Sequence, residues 1–269
     1  YCWRGGQRSG SLALILGQIG FRVSIIEGGY KAFRFAIVAD TERLAPLFDY
    51  RVVCGTTGSG KTRLLHALGR AGAQVLDLED LANHRSSVLG AIPGLAQPSQ
   101  KAFDTLVWDR LRRFDPARPV FVESESRKVG NVTVPVAVMD AMRSSGNCLN
   151  LELSDPERVA LLMEDYAYFV RNTDAFCARL DALTEIRGKQ VVQGWKTSVQ
   201  SGAIESVVQE LLIQHYDPVY LQSMQRNFKR YAQARTLSPE DRSSSAMDAL
   251  AVGLVNQVTP TLHHPTRPG

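Results

Sequence analysis

Tyr50-Arg51-Val52-Val53-Cys54, running into Gly55-Thr56-Thr57-Gly58-Ser59-Gly60-Lys61-Thr62, is the stretch on which the reading turns. Its first part is a short β-branched strand. Its second part matches G-x-x-x-x-G-K-[ST] at every fixed position. The apolar pattern from Thr62 to Ala71 then predicts a helix. A glycine-rich turn between a strand and a helix aims backbone N–H groups at a phosphate, and the helix N-terminus adds its dipole. Lys61 is placed to reach a terminal phosphate and Thr62 to ligate Mg²⁺. The alternative, a Gly-rich turn that arose by chance, explains neither the strand before it nor the helix after it.

Outward from this motif, strands alternate with helices. Strands are expected at Ala73–Leu78, Pro119–Glu123 and Cys148–Leu153, and helices at Gln100–Phe114 and Pro135–Ser144. Ser86 to Ser99, rich in Gly, Pro and Ser, reads as a loop. Alternation of this kind implies a parallel sheet and an α/β fold over residues 41–190. Glu123 ends an apolar strand, where P-loop proteins place a metal-orienting acid, so Thr62 and Glu123 form the candidate metal pair. Asp77 ends the neighbouring strand and either supports the site or caps a helix. Arg127 and Lys128 are placed either to meet an anion or to stand as solvated charges.

A second anion loop is written at the start of the chain, Cys2-Trp3-Arg4-Gly5-Gly6-Gln7-Arg8-Ser9. Read as C-x5-R-S before a helix, it lets inward N–H groups depress a thiol pKa and hold a phosphate-sized oxyanion. Arg8 supplies a bidentate fork. A buried structural cysteine beside a Gly turn is the alternative, but that role calls for neither two glycines nor flanking arginines. Cys2 is therefore the candidate nucleophile, with Arg4, Gly5, Gly6, Gln7, Arg8 and Ser9 as its anion cradle. Ser9 to Gly20 reads as a helix, Phe21–Ile26 as a strand and Tyr30 to about Val38 as a helix. Asp40 to Asp49, which contains Pro46, reads as a connector. Residues 1–40 are expected to be the second half of a small α/β domain, because Tyr1-Cys2 looks like the end of a strand.

Beyond Pro156 the strand signals fade and helical patterns dominate. Over residues 191–269 basic and aromatic residues interleave, among them Trp195, Lys196, Arg226, Lys229 and Arg230. They fit either an RNA surface that uses phosphate contacts and base stacking, or amphipathic helices with solvated charge. The tail from Ser238 is expected to be loosely held. The formal net charge of +4 permits a nucleic-acid partner without demanding one. Four cysteines without a C-x-x-C pair argue against structural zinc and for free thiols in a reducing cytoplasm. Cys54, Cys148 and Cys177 lie on apolar patterns and read as core residues. The apolar runs are too short to cross a bilayer, so no membrane partner is expected.

Tyr1 to Ser11 and Glu27-Gly28-Gly29-Tyr30-Lys31-Ala32-Phe33-Arg34 resemble a rhodanese-type domain that precedes a P-loop domain. With Leu76–Glu79, Ala82–Arg85, Gln97–Lys101, Val122–Arg127 and His215-Tyr216-Asp217-Pro218 with Tyr220, the chain resembles bacterial tRNA 2-selenouridine synthases as far as about Tyr231. The resemblance implies the C-terminal half of a rhodanese-like domain, a P-loop NTPase-like domain and a helical tRNA-binding region. It implies exchange of the 2-thiouridine sulfur for selenium at the wobble position of the tRNA anticodon loop. Selenophosphate would be the donor and an S-geranylated tRNA, made from geranyl diphosphate, the intermediate. A selenophosphate-producing enzyme would be a possible partner, Mg²⁺ a possible ion, and no cofactor would be tightly bound. The competing readings are a small-molecule kinase using the P-loop, a C-x5-R cysteine phosphatase and a non-catalytic tRNA-binding module.

Overall fold

Val52 and Val53 are neighbours in the chain, yet their side chains enter different cores, and this alternation organises the molecule. In the computed structural model, which describes residues 6–85, 92 and 94–258, the central strand β1 (Tyr50–Cys54) is buried on both faces. β2 (Gln74–Leu76), β3 (Val120–Glu123), β6 (Asn147–Leu151) and β7 (Arg235–Leu237) complete a five-stranded parallel sheet in the order β2-β3-β1-β6-β7. The remaining two strands, β4 (Lys128–Val129) and β5 (Val132–Thr133), form a separate small antiparallel hairpin.

Helices cover both faces, as a parallel sheet requires. Val52, Val120 and Val122 pack beneath α2 (Gly29–Leu44), α5 (Gln100–Leu111) and α6 (Val136–Ser145). Val53, Phe121, Leu149 and Leu237 pack beneath α3 (Lys61–Arg70) and α14 (Ser244–Val258). The short α4 (Leu78–Ala82) follows β2. Between β6 and β7 lies a helical region with its own core around Phe176, Leu180 and Trp195. It comprises α7 (Asp155–Asp165), α8 (Ala167–Arg171), α9 (Thr173–Leu180), α10 (Thr184–Arg187), α11 (Lys189–Gln200), α12 (Ile204–Leu211) and α13 (Asp217–Asn227). A π-helical turn, Leu212–Tyr216, joins α12 to α13.

The structure departs from the sequence expectations in three places. Gln7–Ile19 is a helix, α1, but Phe21–Ile26 pairs with no strand among the described residues, and its apolar side chains are exposed. A strand signal needs a neighbour to become a strand. The helix expected to end near Val38 runs on to Leu44, because Ile37, Thr41 and Leu44 continue its buried face and no breaker precedes Pro46. A boundary at residue 40 therefore falls inside one helix. That helix is docked on α5 by Arg34–Asp104 at 2.6 Å and by Trp108 Nε1 donating to Asp40 at 2.8 Å. Finally, the tail from Ser238 is not loose as far as Val258. Met247, Ala251 and Leu254, at helical spacing, bury α14 against α3. Thus β7 and α14 return to the sheet from a region expected to be helical and peripheral. No helix among the described residues is long and apolar enough to cross a membrane.

Candidate active site at the P-loop

Gly55 to Thr62 leave the carboxyl end of β1 and turn into α3, at the edge where open α/β sheets bind ligands. The turn needs its glycines. Gly55 has φ 151°, and a Cβ there would lie 2.4 Å from Ser59 Oγ and 2.5 Å from the Leu151 carbonyl oxygen. Gly60 has φ 88°, and its Cβ would meet Met247 Cε at 2.8 Å. Lys61 Nζ donates to the carbonyls of Gly55 at 2.7 Å and Thr56 at 3.4 Å, and lies over the Tyr220 ring. The loop opens on a cavity of about 330 Å³.

Acids gather opposite the lysine. β3 lies directly beside β1, so Glu123 sits next to the P-loop, 3.5 Å from Thr62 Oγ1. Glu79, on α4, lies 3.4 Å from the same hydroxyl. Carboxylate oxygens of Glu79, Glu123 and Glu125 fall within 4.8 Å of one another. Burial, then the like charges of Glu79 and Glu125, push the Glu123 carboxyl pKa well above the ordinary range. Three carboxylates and a hydroxyl are a hard oxygen set, which fits Mg²⁺ better than a soft or nitrogen-seeking ion.

Two residues from the helical region hold the loop itself. Arg158, only 5% exposed, donates from Nε and Nη2 to the Thr57 carbonyl at 3.0 and 2.9 Å. Asp217 grips the same guanidinium at 2.6 and 3.0 Å, with Asp155 as a third partner. The Tyr220 hydroxyl accepts from the Gly55 N–H at 2.6 Å and is 2.8 Å from Ser124 Oγ. Its buried phenol has a pKa raised well above normal, chiefly by desolvation.

The cavity draws further residues from distant segments. Arg63 bonds Glu164 and Asp165, and Arg85 stacks on Tyr166 at 4.8 Å. His215 lies on the π-turn, and its Nδ1 accepts from Arg187 Nε at 3.1 Å. Burial, and then Arg187, lower its pKa, and a ring whose Nδ1 accepts a hydrogen bond carries its proton on Nε2. A second, narrow cleft of about 60 Å³ adjoins the cavity and shares Thr57, Leu162, Tyr166 and Tyr216 with it. Phe169, Phe176, Val208 and Leu211 make its apolar walls.

The other residues expected at the site are placed as follows. Asp77 caps α4 through the Asp80 N–H at 2.8 Å and meets His66 at 3.2 Å, outside the cavity lining. Arg127 is exposed and also outside that lining. Cys2, Trp3, Arg4 and Gly5 lie outside the described residues, whereas Gly6 caps α1 and Gln7, Arg8 and Ser9 open it, the first two exposed and Ser9 half-buried. Cys54, Cys148 and Cys177 are buried free thiols, as expected of core residues. Trp195 is 3% exposed, with Nε1 donating to Glu210, so its ring is core and leaves no face on which a base can stack. Lys196 pairs with Asp181, and Arg226, Lys229 and Arg230 are exposed. Glu79, Arg85, Tyr220 and His215 were not expected as site residues. Their only sequence signal is that they fall within the segments that carry the family resemblance.

Residues 48–193 match the family described as the tRNA 2-selenouridine synthase AAA domain. A tRNA 2-selenouridine synthase of Alcanivorax borkumensis is 31% identical over 248 residues, spanning 82% of this chain and 67% of its own length. That of Hydrogenovibrio crunogenus is 31% identical over 252 residues, 84% of this chain and 68% of its own. That of Nitrosomonas europaea is 29% identical over 272 residues, 84% of this chain and 69% of its own. No solved structure matches the chain. A P-loop with its acids in place, the matched domain and these relatives together show that the chain belongs to the tRNA 2-selenouridine synthase family.

Proposed function

We propose that this protein exchanges the sulfur of 2-thiouridine, at the tRNA wobble position, for selenium from selenophosphate, through an S-geranylated intermediate. The observation that carries the geranyl step is the apolar cleft opening beside the P-loop cavity. A ligand with a diphosphate head and a hydrocarbon tail suits that pair of spaces. A nucleotide base, which needs hydrogen-bond partners for its edges, suits the cleft poorly. In the first step the thiocarbonyl sulfur attacks C1 of geranyl diphosphate, the C1–O bond breaks and diphosphate leaves. In the second, selenium of selenophosphate attacks C2 of the base, the geranyl thiol departs and the phosphoryl group passes to water.

The chain's own residues bind, orient and shield. Lys61 and the N–H groups of the P-loop hold the diphosphate, with Arg63 and Arg85 at the rim of the cavity. Glu79, Glu123, Glu125 and Thr62 would hold Mg²⁺, which when bound neutralises diphosphate oxygens and eases their departure. Phe169 and Phe176 keep water from the tail. Cys2, in its anion loop, is assigned to selenophosphate, and Arg226, Lys229 and Arg230 to tRNA phosphates.

The test is mass spectrometry of tRNA nucleosides from cells with and without the protein. Selenouridine and its geranylated precursor are expected only with it. In vitro, Val208→Trp, which fills the cleft, should raise KM for geranyl diphosphate at least tenfold and leave inhibition by free diphosphate unchanged. Equal effects on both would remove the tail from that cleft. ATP-dependent phosphoryl transfer that survives Cys2→Ser would instead favour a kinase.

A further inference from the structure

At the amino-terminal edge of the sheet, opposite the P-loop, lies a second cavity of about 360 Å³. β1 contributes Arg51 near its start, β7 opens with Arg235, and Arg230 comes from the segment before β7. Asn147, Gln233 and Gln257 complete its polar wall, and none of the residues that line it is acidic. Asp49, just outside, pairs with Arg51 at 2.7 Å. Arg230 is held by the amide oxygen of Asn147 at 2.8 Å, and Arg235 by that of Gln257. Arg51 Nε is buried with no hydrogen-bond partner among the described residues.

Three guanidiniums against one carboxylate leave two uncompensated positive charges around one concavity. Arg230 and Arg235 keep N–H donors that their neutral amide partners do not use, and Arg51 keeps its Nε–H. Such convergence is unfavourable by itself and is relieved by an anion with several acceptor oxygens. The amides hold Arg230 and Arg235 in place without neutralising them, which preorganises the forks for a tetrahedral oxyanion. Ligands of open α/β sheets bind at the carboxyl ends of the strands, so this cavity is not an extension of the P-loop site.

We propose that the Arg51–Arg230–Arg235 cavity is a phosphate-binding site, and that the phosphate it takes belongs to an RNA backbone gripped on the far side of the sheet from the chemistry. The choice of RNA over free phosphate rests on the proposed tRNA reaction; the phosphate site itself does not.

The test uses the whole chain and two sets of variants, Arg230→Gln/Arg235→Gln, both exposed, and Arg51→Gln. One arm measures tRNA affinity by fluorescence anisotropy across a NaCl series. The other measures thermal stabilisation by inorganic phosphate in a Lys61→Ala background, which weakens the P-loop, and compares each variant with Lys61→Ala alone. We expect the double variant to bind tRNA about tenfold more weakly or worse. Its salt slope should fall by about one, and Arg51→Gln should move both quantities the same way. Loss of phosphate stabilisation with unchanged tRNA binding keeps the site and overturns RNA as its source. Unchanged behaviour in both arms overturns the site. If the unsubstituted protein fails to bind tRNA, the proposed function fails, and the phosphate arm alone judges the cavity.

Discussion

The chain carries two glycine-rich motifs, and the helices that follow them are packed very differently: α3 buries Leu64, Leu65, Ala67 and Leu68, and α1 buries nothing among the described residues. The P-loop is braced from outside by Arg158 on its Thr57 carbonyl, Tyr220 on its Gly55 N–H and Met247 against Gly60. The part of the second motif that the structure describes, Gly6 to Ser9, opens α1, a helix that no other described segment braces in this way. An anion loop is easily written in a sequence, but its backbone donors converge only when other segments fix them. The bonds that fix the P-loop backbone thus come from residues a hundred or more positions away.

The sharpest break between the loops is functional. Cys2→Ser should abolish 2-selenouridine while geranylated tRNA still forms, and a nucleoside digest analysed by mass spectrometry separates the two products. Wild-type selenouridine in that variant would end the assignment.

Next in size is the brace. Asp217→Ala leaves Arg158 buried with Asp155 as its only carboxylate, and removing one partner of a buried pair costs about 3–5 kcal/mol. The remaining contact should keep the loss near the lower figure, read as a fall in the urea midpoint. An unchanged midpoint would show that the clamp does not hold the loop.

Lys61→Ala should weaken diphosphate binding by about 1.5–3 kcal/mol, the worth of a hydrogen bond to a charged group, with little change in stability. Calorimetric titration with diphosphate reads the first and a thermal melt the second.

The smallest effect carries a sign. Because the Glu123 pKa is raised in the folded protein, its protonated form stabilises the fold fully below the unfolded carboxylate pKa. That stability is lost as pH rises toward the folded value. Glu123→Gln should therefore raise Tm relative to wild type at neutral pH and leave it nearly unchanged near pH 4. An equal shift at both pH values would mean that ionisation at Glu123 is not what destabilises the cluster.

The parts of the molecule visible from sequence were those whose signal is local. β1, the P-loop and α3 announce themselves in consecutive residues, and Glu123 does so as the polar end of an apolar strand. β7 is three residues long, too short to display a period, and only its pairing with β6 makes it a strand. α14 had a readable stripe in Met247, Ala251 and Leu254, but Ser- and Pro-containing flanks hid it. The roles of Tyr220 and Arg158 were illegible because each acts through a tertiary contact with a loop remote in the chain. Trp195 misled for the opposite reason: beside a lysine it looked like a binding surface, and packing took it inside.

The placement of those braces has a consequence for how the protein is made. A ribosome finishes the eight-residue motif long before it reaches Tyr220 or Met247. Until then the emerging chain has the letters of a phosphate site without its grip. Ligand capture should switch on late in translation, once β7 and α14 have docked, so half-made chains would not sequester diphosphate.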